Sequence, residues 1–284
     1  MEPFAYRGRD GEPGVYCLER WGTRFPFVTA GISSRVGGVS EPPYDSLNCA
    51  LHVADDPDRG IANRKRLAAS LGVPFESWTC AEQVHGCRVA VVTSADRGKG
   101  SVAREDAIPD TDGLITRQPG IWLTAFFADC VPLYFFDPVR RAVGLAHAGW
   151  KGTALKIAER TVESMRQSFG TDPADLLAAI GPSIGACCYE VDEPVIDRIR
   201  ATLDDIGETD ADAVIRSTND GKYRLNLQEM NRRIMIKAGI LPIHIEVSTI
   251  CTGCRRDRLF SHRKEGGTTG RMVAWIGMGL KASR

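Results

Sequence analysis

Apolar positions along the chain follow two periods. Ile121 to Phe127 is a nearly continuous apolar run of strand length, the pattern of a strand buried on both faces. Ala142 to Ala146 is a shorter run of the same kind. Arg88–Thr93, His244–Ser248 and Met272–Ile276 also read as strands. The helical period is clearest over Thr153–Phe169, where Ala154, Ile157, Ala158, Thr161, Val162, Met165 and Phe169 share one face. Thr153 is the expected N-cap there and Gly170 the stop. Asn226–Ala238 is a second helix, with Leu227, Met230, Ile234 and Ala238 in register and a capping-box start at Asn226 and Glu229. Asp58–Leu71 is a third, ended by Gly72 and Pro74.

Between these elements the chain is polar and rich in turn residues. Arg35–Asn48 carries two glycines and two prolines and reads as loop. Ser94–Pro109, with Gly98 and Gly100, reads as a mobile excursion. Residues 1–24 read as an irregular or hairpin-like lead. Strands and helices interleave without a repeat or an interdomain linker. The expectation is α+β with mixed sheets, residues 1–284 forming a single domain.

Composition narrows the function. The 284 residues are 43% hydrophobic and 25% charged, ordinary for a globular chain. Lys+Arg and Asp+Glu are both 36, so the formal net charge is zero. That argues against nucleic acid as a partner held by bulk electrostatics. No apolar run reaches membrane-spanning length, so no membrane partner is expected. The first residues lack the apolar stretch of a secretory signal, so a cytoplasmic location is expected. The nine cysteines therefore read as reduced thiols, one or more of them a metal ligand or nucleophile.

Three segments share a design. Gln83-Val84-His85-Gly86 precedes a strand, Ala128-Asp129-Cys130-Val131-Pro132 follows one, and His147-Ala148-Gly149-Trp150-Lys151-Gly152-Thr153 joins a strand to a helix. Two imidazoles and a thiolate suit zinc, and three protein ligands leave a fourth position open, as in catalytic sites. Separations of 45 residues (85 to 130) and 17 (130 to 147) mean that the fold would have to assemble such a site. Gly149, Gly152, Thr153 and Lys151 at the helix start suggest an anion cradle. Cys251-Thr252-Gly253-Cys254 is a C-x-x-C. It admits a redox pair or a second metal site with Cys187 and Cys188. With no second C-x-x-C and no preceding βαβ unit, neither reading is preferred, and Cys187 and Cys188 are expected as small apolar fillers.

The motifs together resemble a known family. They are S-R-V-G-G-V-S-x-x-P-Y-x-S-L-N (34–48), H-V-A-D-D (52–56), N-R (63–64), Q-V-H-G (83–86), D-T-D-G-L-I-T (110–116), A-D-C-V-P-L (128–133), H-A-G-W-K-G-T (147–153), G-P-S-I-G-A-C-C-Y-E-V (181–191), C-T (251–252) and F-S-H-R-K-E-G-G-T-T-G-R (260–271). The chain is similar to proteins first called multicopper polyphenol oxidases or laccase-domain proteins, now grouped as zinc-dependent purine nucleoside phosphorylases. The resemblance spans about Ser34 to Gly277. His262 departs from it, standing where an aromatic is usual, and so does Ala186, where proline is more usual.

The resemblance implies a four-layer α/β/β/α sandwich related to a toxin deamidase with a Cys–His pair, and metal ligands His85, Cys130 and His147, which are also the catalytic residues. It implies phosphorolysis of adenosine, inosine, guanosine or methylthioadenosine, with adenosine deamination beside it. The partners are then a purine nucleoside and phosphate, and the cofactor is Zn²⁺, with copper only adventitious. Arg35, Asn48, Arg64, Gln83, Lys151 and Arg263 are the candidate substrate contacts, and Asp129, Asp112 and Glu190 the ranked candidates for general acid. The alternatives are a Cys130 hydrolase without metal, including the editing of a peptidoglycan precursor, and polyphenol oxidation by copper as in the older name. A third is a non-enzymatic protein with structural zinc. Multicopper oxidation needs imidazoles in H-x-H pairs, and five histidines with no H-x-H do not furnish them.

Overall fold

The computed structural model describes residues 1–9, 11–218 and 220–279. In chain order the strands and helices are β1 (Phe4–Arg7), β2 (Val15–Leu18), α1 (Glu19–Arg24), β3 (Val28–Ser33), α2 (Pro57–Ser70), β4 (Trp78–Cys80), β5 (Val89–Val91), β6 (Gly113–Thr116), β7 (Trp122–Phe127), β8 (Val131–Asp137) and β9 (Ala142–Ala148). There follow α3 (Trp150–Ala154), α4 (Ile157–Phe169), β10 (Leu177–Ile180), β11 (Glu190–Val191), α5 (Glu193–Asp205), β12 (Ile215–Ser217), β13 (Tyr223–Leu225), α6 (Leu227–Lys237), β14 (Ile245–Val247) and β15 (Met272–Met278).

Two six-stranded mixed sheets carry the molecule, in the orders β1-β2-β3-β15-β7-β4 and β14-β10-β8-β9-β6-β5; β11, β13 and β12 form a third, smaller sheet. Most neighbours are antiparallel, but β4 runs parallel to β7, β5 to β6, and β10 to β14. The α+β expectation with mixed sheets is met.

The side chains of β7 explain its nearly continuous apolar run. Leu123, Ala125 and Phe127 pack with Tyr134, Phe136, Val143 and Leu145 of the other sheet. Trp122 and Phe126 face the opposite way, against Leu67 and Ala68 of α2 and Val273 and Trp275 of β15. Both faces are covered, so alternation would have no use. On the far face of the second sheet, Val131, Leu133 and Phe135 meet Ile157, Ala158, Val162 and Met165 of α4, Ile196 and Ile199 of α5, and Ile234 of α6. Burying each such aliphatic side chain contributes about 2 kcal/mol.

Several boundaries depart from expectation. The lead over residues 1–24 contains the β1–β2 hairpin, in line with its hairpin-like reading, but β2 also joins β3 and the short helix α1 follows. The helix expected over 153–169 is two helices: Gly149 caps α3, and Lys156 at φ +57° breaks the run before α4. Thr153 is thus inside α3, its buried hydroxyl accepting from Asn231 at 2.9 Å, and not an N-cap. The Ser94–Pro109 segment, expected to be mobile, is tied to the core. Arg64 bonds the Gly100 and Ser101 carbonyls, and Ser101, Ala107 and Ile108 are buried. Its glycines serve turns at positive φ there, not mobility. Asn226 caps α6, accepting from the Glu229 amide at 3.1 Å, but the expected capping box is not closed, since the Glu229 carboxylate pairs with Arg232 and Arg233; Gly170 ends α4 in the left-handed region.

Candidate metal centre and its two cavities

Three chain segments converge at one end of the sheets. β4 and β7 are parallel neighbours, so the loop carrying His85 and the turn carrying Cys130 leave the same edge. Cys130 directly precedes β8, whose Pro132 pairs with His147 near the end of β9. The ligand atoms of His85, Cys130 and His147 all lie within 4.8 Å of one another. The two imidazole rings meet edge to face at 4.8 Å.

Asp112 organises this cluster. Its Oδ1 is 2.8 Å from His147 Nδ1, which leaves the other ring nitrogen of His147 for the cluster. The same carboxylate accepts the amides of Val84, His85 and Gly86 at 3.1, 3.0 and 2.7 Å, and the Asp112 carbonyl accepts the His147 amide. Burial raises the Asp112 carboxyl, but His147 and these amides outweigh it and hold it below the usual carboxylate range. The backbone is strained where it delivers these side chains: Gln83, His85 and Asp129 have φ of 61°, 61° and 86°.

Burial would raise the Cys130 thiol. The His147 and His85 imidazoles beside it more than reverse that and bring it down to about 6. Burial would lower His147, but the Cys130 thiolate and Asp112 raise it to about 9. The donor set fits a zinc-type cation: two imidazoles, one thiolate, and a carboxylate behind one imidazole. Gly149 leaves the necessary room. A Cβ there would stand 3.0 Å from Cys130 Sγ and 3.2 Å from His85 Cδ2.

Two cavities border this cluster and share His85, Ala128, Cys130 and His262. One, of about 330 Å³, is walled by Trp150, Tyr189, Ile184 and Leu227, with Lys151 and Arg263 at its edge. The other, of about 240 Å³, is lined by His52, Arg104, Arg271, Gln83, Glu82 and Phe126. His262 stands on the boundary of both. A third cavity, of about 490 Å³, reaches His85 from the side of Trp150, Lys151 and Arg198.

The structure separates the residues singled out in the sequence. Lys151 and Arg263 reach the first cavity. Gln83 lines the second, although its amide is spent on the Phe126 backbone, at 2.9 and 2.8 Å. Arg35, Asn48 and Arg64 do not line either cavity. Arg35 pairs with Glu265 at 2.7 Å and lies over the Phe260 ring. Arg64 is 2% exposed and bonds the carbonyls of Cys49, Gly100 and Ser101. Asn48 is buried, bonding Ala50, Asp55 and the Arg271 amide. A loop rich in glycine and proline needs such internal polar braces, which sequence spacing does not distinguish from ligand contacts.

The carboxylates ranked as general acids are likewise committed. Asp112 holds the loop and His147. Asp129 accepts from Thr252 Oγ1 at 2.6 Å and the Arg263 amide at 2.7 Å. Glu190 pairs with Lys222 and Arg224 outside both cavities. His52, Tyr189 and Arg271 stand in the motifs at 52–56, 181–191 and 260–271 without a role that sequence alone assigns, and Arg104 carries no sequence signal. The α3 N-terminus expected as an anion cradle belongs to a helix of only five residues, with Lys151 turned over the Trp150 ring.

These converged strand ends define a candidate metal-dependent α+β enzyme. The chain belongs to the family described as multi-copper polyphenol oxidoreductase laccase, which matches residues 29–279. It is 46% identical over 253 residues to the purine nucleoside phosphorylase YlmD of Geobacillus stearothermophilus, covering 89% of this chain and 91% of that one. It is 34% identical over 234 residues to the adenosine deaminase RL5 of an unknown prokaryotic organism, covering 82% and 87%. The crystal structure of YlmD from Geobacillus stearothermophilus superposes with a TM-score of 0.92 at 42% identity, covering 99% of this chain and all of that one. Among the described residues, no helix is long and apolar enough to cross a membrane.

Proposed function

We propose that the protein is a zinc-dependent purine nucleoside phosphorylase that also deaminates adenosine, acting on adenosine, inosine, guanosine or methylthioadenosine. The observation that carries the reading is the His85–Cys130–His147 cluster, locked through Asp112 and placed where two unlike cavities meet. The names of the relatives support the same chemistry. Zinc, when bound by these residues, supplies a Lewis acid for a water or phosphate oxygen.

The cavities divide the substrate. Trp150 and Tyr189 offer aromatic faces to a purine. Arg104, Arg271 and His52 offer charge-assisted hydrogen bonds to phosphate. The ribose then lies at the shared boundary beside His262, with C1′ between base and phosphate. Phosphorolysis replaces the C1′–N bond by a C1′–O bond, and the departing base takes a proton. Deamination at C6 needs water in place of phosphate. The laccase name does not describe this site, since a trinuclear copper cluster needs more imidazoles than it holds.

The fold reading goes with it: one domain, layered α/β/β/α, of the Cys–His hydrolase type, in the cytoplasm, with no nucleic acid or membrane partner. The packing of α2 outside one sheet and of α4, α5 and α6 outside the other supports that layering. A second reading has one observation in its favour. Without metal, Cys130, His147 and Asp112 form a thiolate–imidazolium–carboxylate line suited to a nucleophilic hydrolase.

Product analysis separates the two. Adenosine in phosphate buffer should give adenine and ribose 1-phosphate, and without phosphate base release should fall while inosine persists. Free ribose at an equal rate in both buffers would overturn the phosphorylase reading.

A further inference from the structure

The C-x-x-C motif and the adjacent cysteine pair meet in space. β10 and β14 are parallel neighbours, so the loops leaving their C-terminal ends run side by side. The first carries Cys187 and Cys188, the second Cys251 and Cys254. Ser183 and Cys251 bridge the two loops, and the Thr252 amide donates to the Ser183 carbonyl at 3.0 Å. The four Sγ atoms all lie within 4.8 Å of one another. Cys254 Sγ is 3.6 Å from both Cys187 Sγ and Cys188 Sγ. A disulfide needs about 2.05 Å. A tetrahedron of thiolates around zinc, with bonds of about 2.3 Å, has edges of about 3.8 Å.

The geometry points to a second metal site: a structural tetrathiolate zinc centre held by Cys187, Cys188, Cys251 and Cys254. Two glycines make room for it. A Cβ on Gly253 would stand 2.8 Å from Cys188 Cβ and 3.0 Å from its Sγ, and one on Gly185 would stand 3.3 Å from Cys187 Sγ. The Gly185 amide donates to Cys251 Sγ at 3.2 Å, the kind of bond that supports a ligating thiolate. Four thiolates and one Zn²⁺ carry a net charge of −2. Two cationic side chains border the cluster: Lys264, whose stem lies beside Gly253, and Arg224, which bonds the Cys187 carbonyl and is shared with Glu190. With four protein ligands the centre is closed, which assigns it to structure and not to turnover.

Its position gives it something to hold. Thr252, between the two ligands of the motif, donates to Asp129, the neighbour of Cys130. The Ile184 amide donates to the Asp129 carbonyl at 2.9 Å, and Tyr189 follows Cys188 into the wall of the larger cavity. The centre thus clips together the two loops that carry one side of the nucleoside pocket.

The test is metal stoichiometry, which does not depend on the reaction catalysed. Protein purified anaerobically without added metal should hold two zinc per chain by native mass spectrometry and elemental analysis. His85→Ala/His147→Ala should retain one, and its cobalt-substituted form should show the strong thiolate-to-cobalt absorption of a four-sulfur site. Cys187→Ser/Cys254→Ser should retain the other one. If that variant does not fold, the wild-type protein still decides the matter. One zinc per chain, lost completely in His85→Ala/His147→Ala, would overturn the proposal, as would a disulfide between Cys254 and Cys187 or Cys188 in the anaerobic protein.

Discussion

Asp112 and His147 are joined twice, carboxylate to ring nitrogen at 2.8 Å and carbonyl to backbone amide at 2.8 Å. Because the same carboxylate gathers the amides of residues 84–86, one buried side chain sets the positions of both imidazoles. The cluster is therefore preorganised from behind, by a residue that need not touch substrate.

Asp112→Asn tests this. It keeps size but removes the charge, and an amide cannot accept all these bonds. Zinc affinity, read by chelator competition, should fall about 10- to 100-fold, as for other partners of metal-bound histidine. The melting temperature should fall less than in Asp112→Ala. Unchanged zinc affinity would mean that Asp112 is only a loop brace.

Cys130 gives a pH signature in the metal-free protein. Its thiol lies at about 6, below the ordinary cysteine value, so the thiolate persists as pH falls from 9 and is lost only through pH 6. Alkylation of Cys130 by iodoacetamide should be nearly level above pH 7 and fall with a midpoint near 6. His147→Ala removes the main opposing charge and leaves burial to raise the thiol, so the midpoint should move upward. Bound zinc should protect Cys130. A midpoint near 9 in the wild-type apoprotein would refute the thiolate–imidazolium pair.

Much of this was legible in the sequence, and the gaps have physical causes. β7 was readable because burial on both faces leaves a run that is apolar except for Thr124; α6 was readable from its cap. The break at Lys156 was not, since a lysine gives no sign of a left-handed backbone. Residue type and flanking glycines pointed to His85, Cys130 and His147 as a group, the resemblance implied that they are ligands, and the structure brings their donor atoms together. Arg35, Asn48 and Arg64 looked like ligand contacts because a buried arginine bonding carbonyls and one bonding phosphate have the same sequence appearance. Sequence alone does not select the four-cysteine cluster, because the parallel pairing of β10 with β14 that assembles it is a tertiary fact.

Arg64 separates structural from substrate roles. Arg64→Met keeps an apolar stem of similar length but removes the guanidinium that lies over the Phe126 ring, and it leaves the buried carbonyls of Cys49, Gly100 and Ser101 without their donor. Stability should fall by about 3 kcal/mol by denaturant unfolding. The KM for phosphate in the surviving folded protein should stay within about twofold of wild type. A selective rise in phosphate KM without loss of stability would return Arg64 to the substrate.

Arg104 makes the converse case. Its side chain is about half exposed, it lines the smaller cavity, and its nearest acidic partner, Glu82, is 4.0 Å away. Removing it should therefore cost little stability. If phosphate binds among Arg104, Arg271 and His52, Arg104→Ala loses one charge-assisted bond to a dianion, worth about 1.5–3 kcal/mol. The KM for phosphate should rise about 10- to 100-fold, while inosine formation from adenosine in phosphate-free buffer stays near the wild-type rate. Lys151→Ala, on the other cavity, should affect nucleoside KM and leave phosphate KM nearly unchanged. The two variants assayed side by side for both reactions decide which cavity takes the anion. A rise in phosphate KM for Lys151→Ala alone would exchange the assignments of the two cavities.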